Sequence, residues 1–92
     1  MENLGESVRW SDYVVLLGTS LHRLRIERGL SQEQVANQAG LSRYTYQKFE
    51  KGESRPGTPA NPSLQNVLSL CNVFGVQIGE LLPAQRPDLS DR

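Results

Sequence analysis

Residues 30–52 read LSQEQVANQAGLSRYTYQKFEKG, and the folding pattern of the chain turns on this stretch. Ser31 suits a helix N-cap, because its hydroxyl accepts from the free backbone N–H groups of the next turn. Gln34, three residues on, completes a capping-box pattern. The spacing predicts a short helix from about Gln32 to Ala39, with Val35, Ala36 and Ala39 on one inward face. Gly40 stands where the chain must turn, a place where positive φ costs glycine little. Ser42 caps a second helix from Arg43 to about Lys51, closed by Gly52. In that helix Tyr46, Phe49 and Glu50 share one face, while Arg43, Tyr44, Gln47, Lys48 and Lys51 share the other.

Two helices joined by so short a turn cross steeply, so the residue at their closest approach has to be small. Ala36 holds that place. This is the helix-turn-helix plan, in which the second helix enters the major groove and the first crosses the sugar-phosphate backbone.

Outward from this pair the signals stay helical. Ser11 is read as the cap of a first helix over about 12–28, with Tyr13, Val14, Leu17, Leu21 and Leu24 inward and Gly29 as its stop. Gly18, in its middle, costs about 1 kcal/mol relative to alanine but permits close backbone approach. The segment ESRPGTPANP after Gly52 is a loop by composition. Asn61-Pro62 reads as a cap and first-turn proline for a fourth helix ending near Phe74, with Leu64, Val67, Leu68, Cys71 and Phe74 inward. Ile78, Leu81 and Leu82 support a short fifth helix ended by Pro83. No strand signal or repeat competes, so the expected fold class is all-α, with five helices. The domain is expected over 12–83, between a loose arm (1–11) and a disordered tail (84–92).

Composition sets modest bounds. Ninety-two residues support one small core. No apolar run approaches the roughly twenty residues that span a bilayer, and the N-terminus lacks an export pattern. The single Cys71 excludes an internal disulfide and a cysteine-cluster metal site. A cytoplasmic protein without metal or cofactor is the expectation. The formal net charge is zero, yet residues 22–55 hold seven Lys or Arg (Arg23, Arg25, Arg28, Arg43, Lys48, Lys51, Arg55) against four acids (Glu27, Glu33, Glu50, Glu53). Positive charge is thus concentrated on the segment that holds the helix pair, as a phosphate-facing surface requires. Few basic residues imply moderate affinity per protomer, which favours a dimer. No nucleophile–base, paired-carboxylate or glycine-rich phosphate signature points to an enzyme.

Gln32, Ala36, Gly40, Phe49 and the closing Glu50-Lys51-Gly52 resemble the Cro/C1-type (XRE) repressor family, lambda-repressor-like proteins of prokaryotes. The resemblance extends over residues 14–82, through Leu17-Gly18, Leu21 to Leu24, Arg28-Gly29-Leu30-Ser31-Gln32, Pro62-Ser63-Leu64, Phe74-Gly75-Val76 and Leu81-Leu82. It implies a homodimeric transcriptional regulator, expected to be a repressor, on an inverted-repeat double-stranded DNA operator. By register, Arg43, Tyr44, Gln47 and Lys48 are the expected base-contacting residues, and Ser31, Gln32, Lys51 and Arg55 the expected phosphate-contacting ones. Gln32 is further expected to brace the first side chain of the recognition helix. Arg25 and Glu50 are expected to form an ion pair between the helices. Val76, Ile78 and Leu82, or alternatively Trp10, are the expected dimer contacts.

Two departures from the family stand out. Tyr46 occupies an inward position where a branched aliphatic is usual, so its hydroxyl must reach solvent or a buried partner. The loop 53–61 is longer than usual. Two other functions share the pattern. One is an antitoxin that binds a toxin partner and its own promoter; the other is a scaffold whose third helix no longer meets DNA. A restriction–modification controller is a subtype of the main reading. His22 reads as a surface residue, lacking partners at ligand spacing, and Cys71 as inert packing.

Overall fold

Serines and glycines punctuate the fold. The computed structural model of the chain describes residues 7–90. The expectations for residues 1–6 of the arm and 91–92 of the tail lie outside that range. The elements in order are β1 (Ser7–Arg9), α1 (Trp10–Glu27), α2 (Gln32–Ala39), α3 (Arg43–Lys51), β2 (Glu53–Arg55), β3 (Thr58–Pro59), α4 (Leu64–Phe74), α5 (Ile78–Leu81) and β4 (Arg86–Asp88). Ser31, Ser42 and Ser63 each accept from the backbone N–H three residues on, the bond that orients a helix start. Gly40, Gly52 and Gly75 end the three helices that those serines begin.

The helices bury one contiguous core. Leu17, Leu21 and Leu24 from α1 meet Val35, Ala36 and Ala39 from α2, Tyr46 and Phe49 from α3, and Val67, Leu70, Cys71 and Phe74 from α4; Leu81 of α5 closes it. Two long-range polar bonds fasten α4 to its neighbours. Ser69 Oγ donates to the Ala39 carbonyl at 2.9 Å, and Arg28 Nη2 donates to the Phe74 carbonyl at 2.8 Å. Both carbonyls lie at helix C-termini, where intrahelical donors run out. No helix among the described residues is long and apolar enough to cross a membrane.

The strictly all-α expectation is corrected by two small strand pairs. β2 and β3 form an antiparallel hairpin with Glu53 opposite Pro59 and Arg55 opposite Thr58, and a register shift between. Pro56-Gly57, with Gly57 at φ +80°, makes the turn, following the Pro-then-Gly pattern of a type II turn. The Ala60 N–H then closes onto the Gly52 carbonyl at 3.0 Å. The expected loop is therefore a structured extension of α3. β1 and β4 pair in parallel, Ser7 with Arg86, Val8 with Pro87 and Arg9 with Asp88. Residues 7–9 of the expected loose arm and 86–88 of the expected disordered tail are thus held together. Pro87 favours an extended residue before it, which helps Arg86 enter a strand.

Three local expectations are also corrected. α1 starts at Trp10 rather than after Ser11, and its cap residue Arg9 makes no side-chain cap bond; Arg9 instead bridges to Asp12 at 3.4 Å. α4 is capped by Ser63 rather than Asn61, leaving Pro62 outside the helix. Leu64 and Leu68 face outward, 67% and 44% exposed, while Leu70 is buried. The inward stripe runs through Val67, Leu70, Cys71 and Phe74, so Leu64 and Leu68, at i and i+4, fall on its outer side.

Candidate nucleic-acid interface

The geometry of α2 and α3 is set locally before it is set by packing. Gln34 N donates to Ser31 Oγ at 3.0 Å while Ser31 N donates to Gln34 Oε1 at 2.8 Å, a reciprocal capping box. Gly40, at φ +75°, turns the chain so that Leu41 N reaches the Ala36 carbonyl at 2.8 Å. Ser42 Oγ accepts from Thr45 N at 3.0 Å and starts α3. Ala36 is 1% exposed at this corner, where its small side chain fits.

The carboxylate of Glu50 fixes α3 against α1 and α2. Arg25 grips it with two donors, Nε to Oε2 at 2.6 Å and Nη2 to Oε1 at 3.2 Å. Tyr46 Oη donates to Oε2 at 2.5 Å, and Gln32 Nε2 to Oε1 at 3.1 Å. His22 Nδ1 lies 3.3 Å from Oε1. The Glu50 side chain is only 8% exposed. Burial by itself raises its pKa, but hydrogen bonds from Arg25, Tyr46, Gln32 and His22 outweigh burial and hold it at about 2. Burial and the Glu50 hydrogen bond push the Tyr46 phenol well above its ordinary range. The hydrogen bond to Glu50 raises the Arg25 pKa. Arg25 also ties the α1–α2 junction through Nη1 to the Leu30 carbonyl at 3.1 Å. Three helices therefore meet at one ionised group.

With Glu50 turned in, the opposite face of α3 is turned out. Arg43, Tyr44, Gln47 and Lys51 are exposed, and Lys48 is half-buried with its ammonium over the Tyr44 ring. Arg55, on the hairpin that follows, is also exposed. Among the described residues Arg9, Arg23, Arg25 and Arg28 each have a carboxylate partner, whereas Arg43, Lys48, Lys51 and Arg55 have none. The unpaired cations are thus gathered on one helix and the hairpin beyond it. Ser31 is exposed at the start of α2 beside the half-buried Gln32.

The remaining site expectations meet the structure unevenly. Gln32 spends its hydrogen bond on Glu50 in the last turn of α3, not on the first side chain of that helix. Val76 and Leu82 pack in part against the core of their own chain, whereas Ile78 is 36% exposed. Trp10 stacks on Tyr13 at a centroid distance of 5.7 Å. Sequence reasoning missed the place of His22, which stands 3.3 Å from both Glu50 Oε1 and Arg25 Nη2. The signal was present, since positions 22 and 25 are i and i+3 and share a helix face.

A family model for a helix-turn-helix domain matches residues 16–85, from the first half of α1 to beyond α5. The chain belongs to the helix-turn-helix domain family. Within it, the chain is 32% identical over 77 residues to the transcriptional repressor RstR of the cryptic phage CTXphi of Vibrio cholerae, covering 84% of this chain. It is 33% identical over 67 residues, 73% of its length, to the SPbeta prophage-derived HTH-type transcriptional regulator YonR of Bacillus subtilis. These matches span 64% of RstR and 56% of YonR, so the relatives extend beyond the shared region. Among solved structures, the restriction-modification controller protein C.AhdI from Aeromonas hydrophila superposes with a TM-score of 0.66 at 35% identity, over 75% of this chain and 96% of that one. The hypothetical transcription factor NHTF from Neisseria gives a TM-score of 0.67 at 28% identity, over 86% and 83% of the two chains.

Proposed function

We propose that this helix-turn-helix protein is a transcriptional repressor that binds double-stranded DNA sequence-specifically as a homodimer, with α2 and α3 as the helix-turn-helix. The observation that carries the reading is the segregation of unpaired cations. Among the described residues Arg43, Lys48, Lys51 and Arg55 lack carboxylate partners and lie on α3 and the adjoining hairpin, while the arginines of α1 are paired. Unpaired cations gathered on one side are the electrostatic footprint of a polyanion partner. The names of RstR and YonR, a repressor and a regulator, support the same reading.

In this arrangement α3 lies in the major groove, with Arg43, Tyr44, Gln47 and Lys48 toward base edges. Arginine and lysine donate to guanine O6 and N7, and glutamine pairs with adenine. Ser31, Gln32, Lys51 and Arg55 face phosphates, and the free N–H groups at the α2 start add to the attraction. Two protomers place their α3 helices about 34 Å apart, so the operator is an inverted repeat. The exposed apolar side chains of α4 and α5, Leu64, Leu68 and Ile78, are the dimer contacts in this reading.

Selection from a randomised duplex pool tests it, with the enriched sequences retested against Lys48→Ala. Enrichment of an inverted repeat, weakened by salt and lost in the variant, is the expected result. A folded protein that enriches no duplex would overturn the reading.

A further inference from the structure

Tyr44 and Lys48 occupy successive turns of the outward face of α3. Tyr44 is 67% exposed, and Lys48 Nζ sits over its ring, 4.2 Å from the centroid. Side chains four residues apart on a helix stand one above the other, and the negative face of an aromatic ring attracts an ammonium. Neither side chain has a hydrogen bond or ion pair with another described residue. Nothing in the core depends on Tyr44, so the stack is not a by-product of packing.

We infer that Tyr44 and Lys48 act as one reading unit, in which the ring positions the ammonium and the pair recognises an adjacent thymine and guanine in the major groove. The inference rests on α3 being the recognition helix proposed above. A lysine ammonium on its four-carbon stem is costly to immobilise. The ring contact restricts it before DNA arrives, which is the gain preorganisation gives. The ring covers one side of the ammonium and leaves the donors that point away from it free.

An ammonium carries three donors and no acceptor. Guanine presents two acceptors, O6 and N7, at the major-groove edge, whereas adenine and cytosine each present a donor there and thymine a single acceptor, O4, beside its methyl group. The lysine half of the unit therefore selects guanine. The ring offers carbon surface, which the thymine methyl complements. Successive base pairs rise about 3.4 Å, comparable with the 4.2 Å from ammonium to ring. The two groups are thus spaced to address neighbouring pairs. Tyr44 is a positioning residue for Lys48 as well as a contact in its own right.

Equilibrium binding tests this on the duplex that the wild-type protein selects, and on duplexes changed at single base pairs. The proteins compared are wild type, Tyr44→Phe, Tyr44→Leu, Lys48→Met and the double variant Tyr44→Leu/Lys48→Met, each checked for folding by thermal melts. The expected result is that Tyr44→Leu lowers the preference for guanine at the Lys48 position by about threefold, the scale of an exposed cation–π contact. Tyr44→Phe, which keeps the aromatic face, keeps that preference. The double variant loses less affinity than the two single losses multiplied together.

A guanine preference untouched by Tyr44→Leu, with single losses that simply multiply, overturns the inference alone. So does a Tyr44→Phe protein as impaired as Tyr44→Leu, because the hydroxyl and not the ring would then be the active group. A wild-type protein that selects no duplex overturns the DNA-binding reading and this inference with it.

Discussion

A Cβ placed on Gly18 of α1 would lie 2.4 Å from the Glu50 carbonyl oxygen and 2.7 Å from that of Phe49. The end of α3 therefore rests directly on the backbone of α1. Gly52, one step past α3, repeats the closeness: a Cβ there would lie 2.9 Å from Val15 Cα. Alanine at position 18 gains about 1 kcal/mol of helix propensity but meets backbone that cannot move aside. Overpacking of this kind costs about 1–3 kcal/mol. We predict that Gly18→Ala lowers stability despite the better helix former, and denaturant unfolding of the two proteins measures it. A stabilised variant would show that α1 and α3 have room to separate.

The Glu50 network makes stability pH-dependent, with a definite sign. The folded carboxyl is held at about 2, below the ordinary glutamate value of 4.5. A group with a depressed folded pKa contributes fully above its unfolded value and loses that contribution as pH falls through the folded one. Stability linked to Glu50 is accordingly constant above about pH 5 and declines between about 4.5 and 2. Carbon-13 titration of the Glu50 carboxyl, read beside urea unfolding across that range, is the measurement. A carboxyl midpoint near 4.5 would mean that the donors around Glu50 do not act on it in solution.

Tyr46 tests the same network from the other side. It is fully buried, and its hydroxyl donates to Glu50 Oε2. Tyr46→Phe keeps the ring volume and deletes one donor to a charged acceptor, a bond worth about 1.5–3 kcal/mol. The expected outcome is a loss in that range together with a Glu50 carboxyl that titrates higher. Unchanged stability with an unchanged Glu50 titration would place the phenol outside the network.

How far these features were legible before the structure depends on how local their causes are. The helices were legible because Ser31, Ser42, Gly40 and Gly52 punctuate an apolar period, and each signal acts within a few residues. The hairpin at 53–59 reads as a loop in the sequence because proline and glycine, at Pro56, Gly57 and Pro59, mark turns and count against strands. Its ladder is held by backbone bonds that carry no side-chain signature. The pairing of β1 with β4 joins opposite ends of the chain and has no local signal at all. Within the candidate site, the departure at Tyr46 announces that its hydroxyl needs a partner, and Glu50 is that partner. The diversion of Gln32 to Glu50 depended on the crossing of α2 and α3, which residue spacing does not give.

Lys51 and Arg43 separate phosphate contact from base reading in the proposed complex. Both are exposed and lack carboxylate partners among the described residues, Arg43 at the start of α3 and Lys51 at its end. A phosphate contact releases counterions and carries no sequence information. We predict that Lys51→Gln weakens binding to selected and scrambled duplexes alike, and lowers the slope of log affinity against log salt by about 1. Arg43→Gln instead reduces discrimination at one position of each half-site, by about 1–3 kcal/mol for a lost bidentate contact to guanine. Fluorescence anisotropy on both duplexes over a salt series resolves the two patterns. If Lys51→Gln changes specificity and Arg43→Gln changes only the salt slope, the orientation of α3 on the DNA is the reverse of the proposed one.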